Sequence, residues 1–408
     1  MKKILILGGG FGGVYALKYL HKFFHNRKDI KIILVNKKNY FLFTPLLAEA
    51  ATGSISLDNA IEPIREIIKC CDWDFIHGEV KKIDLENKIV FVDNFTLDYD
   101  YLVIALGSKT NYYEIPGAEK YTFSLKSADE AIRLKSQFVH CFEKAGLNPK
   151  LANKFLNFVI VGGGATGVEL AGEMSDLLYK TFGKLYPKEI VSQVRIILIE
   201  KGKELIPQFS SKLRVKAFNV LNKKGVEVLL EKGVFEVGEN FIKLDDGTVI
   251  ETKTVIWTAG VMPNLPEIFG NIEKDNKGRL VLSEYLQVKN YENVFSIGDI
   301  SSFIQDQKPL PQLAQVATRQ AKVVALNIKN LIENKKLEKF VYKHTGDLIS
   351  IGRFYAVGEI KGISFTGIFA WFLWRGVYLS KMVSFRDQVK TLIDWLLNLF
   401  LPRDITEL

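Results

Sequence analysis

A glycine-rich turn between a strand and a helix occurs twice in this 408-residue chain, once at the N-terminus and once in mid-chain. The first copy reads KILIL at 3–7, GGGFGG at 8–13, then apolar residues at helical spacing over 14–24. Gly8, Gly10 and Gly13 stand at GxGxxG spacing, with Gly12 inside the same turn. Such glycines serve a tight turn, backbone approach to a pyrophosphate, and close packing of helix on strand. The helix start then offers free N–H groups and a positive dipole end to phosphate. The second copy runs from FVIV at 158–161 through GGGATG at 162–167 into a helical run at 168–178, with Gly162, Gly164 and Gly167 at the same spacing. One such turn is a weak signal. Two, each inside its own strand and helix pattern, imply two dinucleotide sites.

A second strand follows each turn. VRIILI at 194–199 ends on Glu200, whose carboxylate can accept from both ribose hydroxyls and repel a 2′-phosphate, so the second site favours NADH over NADPH. IKIILV at 30–35 ends on Asn36, which can bond a ribose without charge. Two further apolar strands have matched exits, DYLVIA at 100–105 before Leu106 and Gly107, and TVIWT at 254–258 before Ala259 and Gly260. VFSIG at 294–298 leads into Asp299, a carboxylate at a turn, where a capping role is the simpler alternative. The fold class expected is α/β, with two Rossmann-like dinucleotide-binding domains.

The net charge of +9 could suit nucleic acid, but the basic residues are scattered and form no nucleic-acid module, so an anionic membrane surface suits it better. Three cysteines, Cys70, Cys71 and Cys141, make no paired framework and no CxxC, and no cluster has metal-ligand spacing, so no metal is expected. The opening MKKILILGGG is too short in apolar residues for a signal peptide and reads as the first strand of a cytoplasmic protein.

The order GGGFGG, ALG, GGGATG, TAG and IGD resembles the two-dinucleotide-binding-domain flavoproteins over residues 1–330. Within them, FTPLL at 43–47, GGGATGVELAGE at 162–173 and the pair Ala314 and Gln315 are similar to the type II NADH dehydrogenases. The resemblance implies FAD in the first module, NADH in the second, and two-electron reduction of a membrane quinone without proton pumping. It places Asp299 at the FAD ribityl or pyrophosphate, Pro45 and Leu46 near the flavin ring, and Glu169 near the nicotinamide. A helix-dipole role for Glu169 is nearly as good a reading. In PQLAQVATRQ at 311–320, Gln315 and Arg319 lie one helical turn apart and mark the quinone side. Arg319, where the family often has glutamine, and Asn36, in place of the usual acid, are departures. The expected domains are 1–112 with 285–335 for FAD, 113–284 for NADH, and 336–408 for a C-terminal segment.

That segment is unusually apolar. ISFTGIFAWFLW at 363–374 is apolar on all sides but is cut by Arg375 short of the roughly 20 residues that span a bilayer. In 389–401, Val389, Leu392, Ile393, Leu396 and Phe400 share one helical face, and Asp387, Thr391, Asp394 and Asn398 the other. Lys361, Arg375, Lys381, Arg386 and Lys390 stand against one acid between 361 and 390, and Trp371, Trp374, Tyr378 and Trp395 add interfacial aromatics. This composition fits an anchor lying on an anionic leaflet, at the cytoplasmic face of the cell membrane, or a homodimer contact. By resemblance, Lys381 would lie near the quinone entrance and help deliver protons. Two rival readings use the same modules, a soluble NADH-dependent reductase of a small electron carrier and a non-catalytic NADH-sensing flavoprotein. A sulfide:quinone oxidoreductase would need redox cysteines that no motif here supplies.

Overall fold

The structure, a computed structural model, describes residues 1–69, 73–148 and 152–407. Cys70 and Cys71 lie outside the described residues. The chain divides into two units, one of residues 1–42, 62–109 and 261–344, the other of residues 43–61, 110–260 and 345–408.

In the first unit the strand Lys2–Leu7 is buried over its last four residues because both of its edges and both of its faces are covered. It pairs in parallel with Ile30–Asn36 on one side and Tyr101–Ile104 on the other, and Trp73–His77 and Val294–Ser296 extend the sheet outward. Near-continuous Ile, Leu and Val in these strands is what two covered faces require. One face packs under the helices Phe11–Phe24 and Ala314–Ile332 through Leu17, Leu20, Val324 and Ile328. The other packs against an antiparallel layer that includes Val80–Asp84 and Ile89–Val92, through Ile83, Val90 and Val92.

The second unit repeats the plan. Asn157–Val161, buried throughout, lies between the parallel strands Arg195–Glu200 and Thr254–Trp257, with Val226–Leu230 at the edge. The helix Ala165–Ser175 follows its turn. The helix Ala128–Leu147 starts at a capping box, in which the Ser127 hydroxyl accepts from Glu130 N–H and the Glu130 carboxylate from Ser127 N–H. Its Phe142 stacks on Phe158 of the central strand and meets Phe182 edge to face, and Phe138 meets Phe158 edge to face.

The C-terminal part of this unit is an antiparallel sheet, Gly346–Ser350, Ala356–Ile360 and Ile363–Thr366, followed by the helices Gly367–Lys381 and Phe385–Phe400. Among the described residues no helix is long and apolar enough to cross a membrane. Arg375 interrupts the apolar run short of a spanning length, as expected, and it does so inside the first of these helices rather than at its end. Trp371, Trp374 and Trp395 are not interfacial: all three are buried, at 2%, 1% and 4% exposure. The helix Phe385–Phe400 turns its polar face inward, where Asp394 accepts from Ser56 N–H and Asn59 Nδ2, Asn398 Nδ2 donates to Ser54 O, and Asp387 and Thr391 are buried. Its apolar stripe of Val389, Leu392, Ile393, Leu396, Leu397 and Phe400 faces solvent.

Candidate functional site

The two glycine turns are built alike. Gly8 holds φ +105° and donates to Val35 O at 2.8 Å, and a Cβ there would stand 2.4 Å from Ala105 O. Gly162 holds φ +111° and donates to Ile199 O at 2.8 Å, and a Cβ would stand 2.7 Å from Ala259 Cα. Cβ atoms at Gly13 and Gly167 would strike the carbonyls of Gly8 and Gly162, at 1.8 and 1.9 Å, so each helix rests directly on its own turn. Only the middle glycines, Gly10 and Gly164, face open space with no atom within 4 Å. Neither following helix carries an acid in its first turn, which leaves the positive dipole end uncompensated for phosphate.

The residue closing each turn is engaged with the backbone. Asn36 Oδ1 accepts from Gly9 N–H at 2.9 Å, and its Nδ2 donates to Lys38 O at 2.8 Å. Glu200 accepts from Gly163 N–H and Gly202 N–H, both at 2.6 Å. A carboxylate has about four acceptor positions, so Glu200 retains capacity for ribose hydroxyls after these two bonds.

In the first unit Asp299 lies in the short turn Gly298–Ile300 and accepts from the Ser108 hydroxyl at 2.6 Å. Two glutamines of the 311–320 run, given no role of their own from sequence, hold that turn: Gln320, 2% exposed, accepts from Gly298 N–H at 2.8 Å, and Gln312 donates to Asp299 O at 2.9 Å. Gly107, with φ +69°, opens onto empty space. Ala314 and Gln315 begin the helix Ala314–Ile332, and Gln315 is half-buried. Arg319 reaches a different partner, with its guanidinium 5.1 Å from the Tyr342 ring and donating to Lys343 O.

In the second unit Pro45 and Leu46 form the single turn Thr44–Leu46, with Leu46 buried. Gly260 carries φ +129° against the Tyr113 hydroxyl. Glu169 stands in the second turn of its helix, beyond the reach of the dipole, which falls off within the first turn. Burial pushes its carboxyl up to about 8, opposed by Ser350 N–H at 3.4 Å and reinforced by Glu49 and Glu173. Tyr378, its phenol raised by burial and by Glu169, lies tilted 4.6 Å from the Trp374 ring and meets the Phe43 ring edge to face at 6.3 Å. Lys381, at the helix end, lies 5.9 Å from the Tyr378 ring. Cys141 is a buried thiol pushed up to about 11, held by Gln137 and Thr254 and unsuited to redox work.

Next to Glu169 the second unit buries a charge cluster that no motif announces. Arg375 lies 3.8 Å from the Trp371 ring and 4.5 Å from Trp395, and its Nη2 is 3.4 Å from Glu49 Oε1. Trp395 Nε1 donates to Glu49 Oε2 at 2.8 Å. Arg403 pairs with Glu173 at 2.8 Å and donates to Thr52 Oγ1 at 3.1 Å. Burial pushes Glu49 up to about 7 despite Arg375. The available signals were an acid inside the apolar run LLAEAA and a second acid four residues beyond Glu169, but neither shows burial or names a partner.

Glu49 and Glu169 together set a pH dependence. A carboxyl whose pKa rises on folding binds its proton more tightly in the folded chain. Its contribution is full below the unfolded value of 4.5 and is lost as pH rises through about 7 for Glu49 and about 8 for Glu169. Urea midpoints are therefore expected to fall from about pH 5 to about pH 8, and the fall to be shallower in Glu169→Gln. Parallel profiles for the two proteins would show that Glu169 does not carry the effect.

Residues 2–321 match the family model of pyridine nucleotide-disulphide oxidoreductases, and residues 344–404 match the NDH2 C-terminal domain. The chain is 32% identical to a probable NADH dehydrogenase of Dictyostelium discoideum, over 99% of this chain and 91% of that protein. It is also 32% identical to the type II NADH:quinone oxidoreductase of Mycobacterium tuberculosis, over 96% of this chain and 87% of that one. In fold it resembles the solved structure of NDH2 from Plasmodium falciparum in complex with NADH, with a TM-score of 0.92, 23% identity and 99% of both chains covered. The sulfide:quinone oxidoreductase of Aquifex aeolicus shares the fold at a TM-score of 0.76 and 18% identity, covering 98% of this chain and 96% of that one. With both dinucleotide turns intact and both family models matched, the chain belongs to the type II NADH:quinone oxidoreductases, a family of the pyridine nucleotide-disulphide oxidoreductase fold.

Proposed function

We propose that the chain is a non-pumping NADH:quinone oxidoreductase docked on the cytoplasmic face of the cell membrane, with FAD held by the first module and NADH by the second. The observation that carries this reading is the duplicated turn, where first and third glycines are closed off by backbone and only Gly10 and Gly164 leave room for a ligand. That cradle fits a dinucleotide at each position. Bound FAD supplies the two-electron carrier between the two substrates. The domain assignment follows: 1–112 with 285–335 for FAD, 113–284 for NADH, and 336–408 for membrane association.

In the first module Gly8, Gly10, Gly12 and Gly13 would admit the pyrophosphate, Asn36 would keep the turn closed, and Asp299, steadied by Ser108, would accept from a polyol hydroxyl. Gly107 and Ala314 complete the assignment for FAD in this module, and a flavin-ring role for Pro45 and Leu46 rests on the family resemblance alone. In the second module Gly162, Gly164 and Gly167 would seat the NADH pyrophosphate, Glu200 its ribose, and Gly260 the strand exit beside it. Glu169 holds a proton at neutral pH, since its carboxyl titrates at about 8, and can give it up to a substrate. Lys381 would relay protons past Tyr378 to that carboxyl. Gln315 would hydrogen-bond the quinone; Arg319, engaged with Tyr342 and Lys343, would position that helix end.

The outward apolar stripe of Phe385–Phe400 favours membrane docking over the soluble-reductase reading, and a homodimer contact is the competing use of the same face. The test is a titration of the purified chain with NADH, followed at the flavin absorbance, then addition of a short-chain quinone. Bleaching with rapid recovery is expected; bleaching without recovery would overturn the quinone assignment and keep the nucleotide sites. The nucleotide preference has its own check. Glu200→Gln leaves one of the two backbone N–H groups without its acceptor and removes the charge, so the NADH KM is expected to rise about tenfold and discrimination against NADPH to relax. Unchanged selectivity in steady-state kinetics would remove Glu200 from the ribose site.

A further inference from the structure

Within the second unit a cavity of about 230 Å³ opens beside the C-terminal end of the helix Phe385–Phe400. It is smaller than the roughly 300 Å³ of a drug-sized ligand site, so it suits a headgroup rather than a cofactor. Five cations line it, Lys180, Lys184, Arg353, Arg375 and Arg403, against two acids, Glu173 and Asp176. The acids are already spent: Glu173 pairs with Arg403, and Asp176 with Lys180 and Lys224. Lys184 and Arg353 form no ion pair among the described residues.

Even with Arg375 set beside Glu49, these five cations outnumber their acids by two, and Lys184 and Arg353 are the pair left without a counter-ion among the described residues, so the cavity calls for an anion. The mouth is apolar. Phe400 and Leu401, 86% and 57% exposed, border the cavity and continue the outward stripe of Ile393, Leu396 and Leu397.

An anionic head beside an apolar tail track describes an amphiphile. We propose that this cavity seats the phosphate of an anionic phospholipid, whose acyl chains lie along the stripe. The proposal rests on the membrane-docking reading and adds to it one saturable lipid site with named donors. Lys180 and Lys184 at the rim would meet the phosphate first, and the Arg353 guanidinium would hold it against the wall.

The test uses the full chain and monomeric, short-chain phosphatidylglycerol, read by tryptophan fluorescence because Trp371 and Trp395 line the cavity. Saturable binding is expected, at least about tenfold tighter than for the matching phosphatidylcholine, and weakened roughly fivefold by Lys184→Gln. Arg386→Gln, an exposed cation away from the cavity lining, should change it by less than about twofold. Equal loss in the two variants would mean general surface attraction and would overturn the site. Inorganic phosphate binding as tightly as the lipid would overturn the lipid assignment. Cosedimentation with vesicles of equal parts phosphatidylcholine and phosphatidylglycerol separates this site from the reading beneath it. Vesicle binding without saturable short-chain binding sinks the site and leaves the membrane reading standing. No vesicle binding by the wild-type chain sinks both.

Discussion

Arg403→Ala is expected to destabilise the second unit by about 3–5 kcal/mol, the usual cost of stranding one member of a buried ion pair. Arg403 and Glu173 are 9% and 3% exposed at their side chains, so the carboxylate left behind has little access to water. It would also lie close enough to Glu49 to raise that carboxyl further. The variant loses two more bonds, from Nη1 to Thr52 Oγ1 and to Glu173 O, which tie residue 403 to Thr52 and to the helix Ala165–Ser175. Urea unfolding followed by tryptophan fluorescence reads this directly, because Trp371, Trp374 and Trp395 are all buried in the same region. Adding Glu173→Gln to Arg403→Ala should recover part of the loss, since it removes the stranded charge. A loss below about 1 kcal/mol for the single variant would place the pair with exposed bridges and refute its structural role.

Leu396→Ser combined with Phe400→Ser is expected to lower vesicle partitioning by about 30-fold or more. Full burial of a Leu or Phe side chain is worth about 1.5–3 kcal/mol, and from their present exposure the two together have about 2 kcal/mol left to gain at the lower bound. Both residues point outward, at 52% and 86% exposure, so neither substitution disturbs the inward contacts made by Asp394, Trp395 and Asn398. Folding stability should hold within about 0.5 kcal/mol, which separates a docking defect from an unfolded chain. Unchanged partitioning, together with a shift of the purified chain from dimer to monomer, would assign the stripe to self-association instead.

The repeated turn was legible because its information is local. Strand, glycine spacing and helix fall within about 20 residues, and each glycine's role follows from what its missing Cβ allows. Glu200 and Asn36 were legible for the same reason, as the last residues of the next strand. Their engagement with the backbone of the turn was not, because it needs the parallel register that sets Leu7 opposite Val35 and Val161 opposite Ile199. Gln320 and Gln312 read only as members of a helix-start motif. Their grip on Gly298 and Asp299 appears once that helix is laid on the sheet.

By itself the sequence determined two dinucleotide modules and an amphipathic C-terminal helix, since periodicity and turn chemistry are properties of neighbouring residues. Only the tertiary structure decided which way that helix faces and where its charges go. Asp394 finds Ser56 and Asn59, and Trp395 and Arg375 find Glu49, across more than 300 residues of chain. A hydrophobic stripe gives a helix two faces but not the direction of either. Here the polar face found enough hydrogen-bond partners on the protein to be buried, which left the apolar face outward.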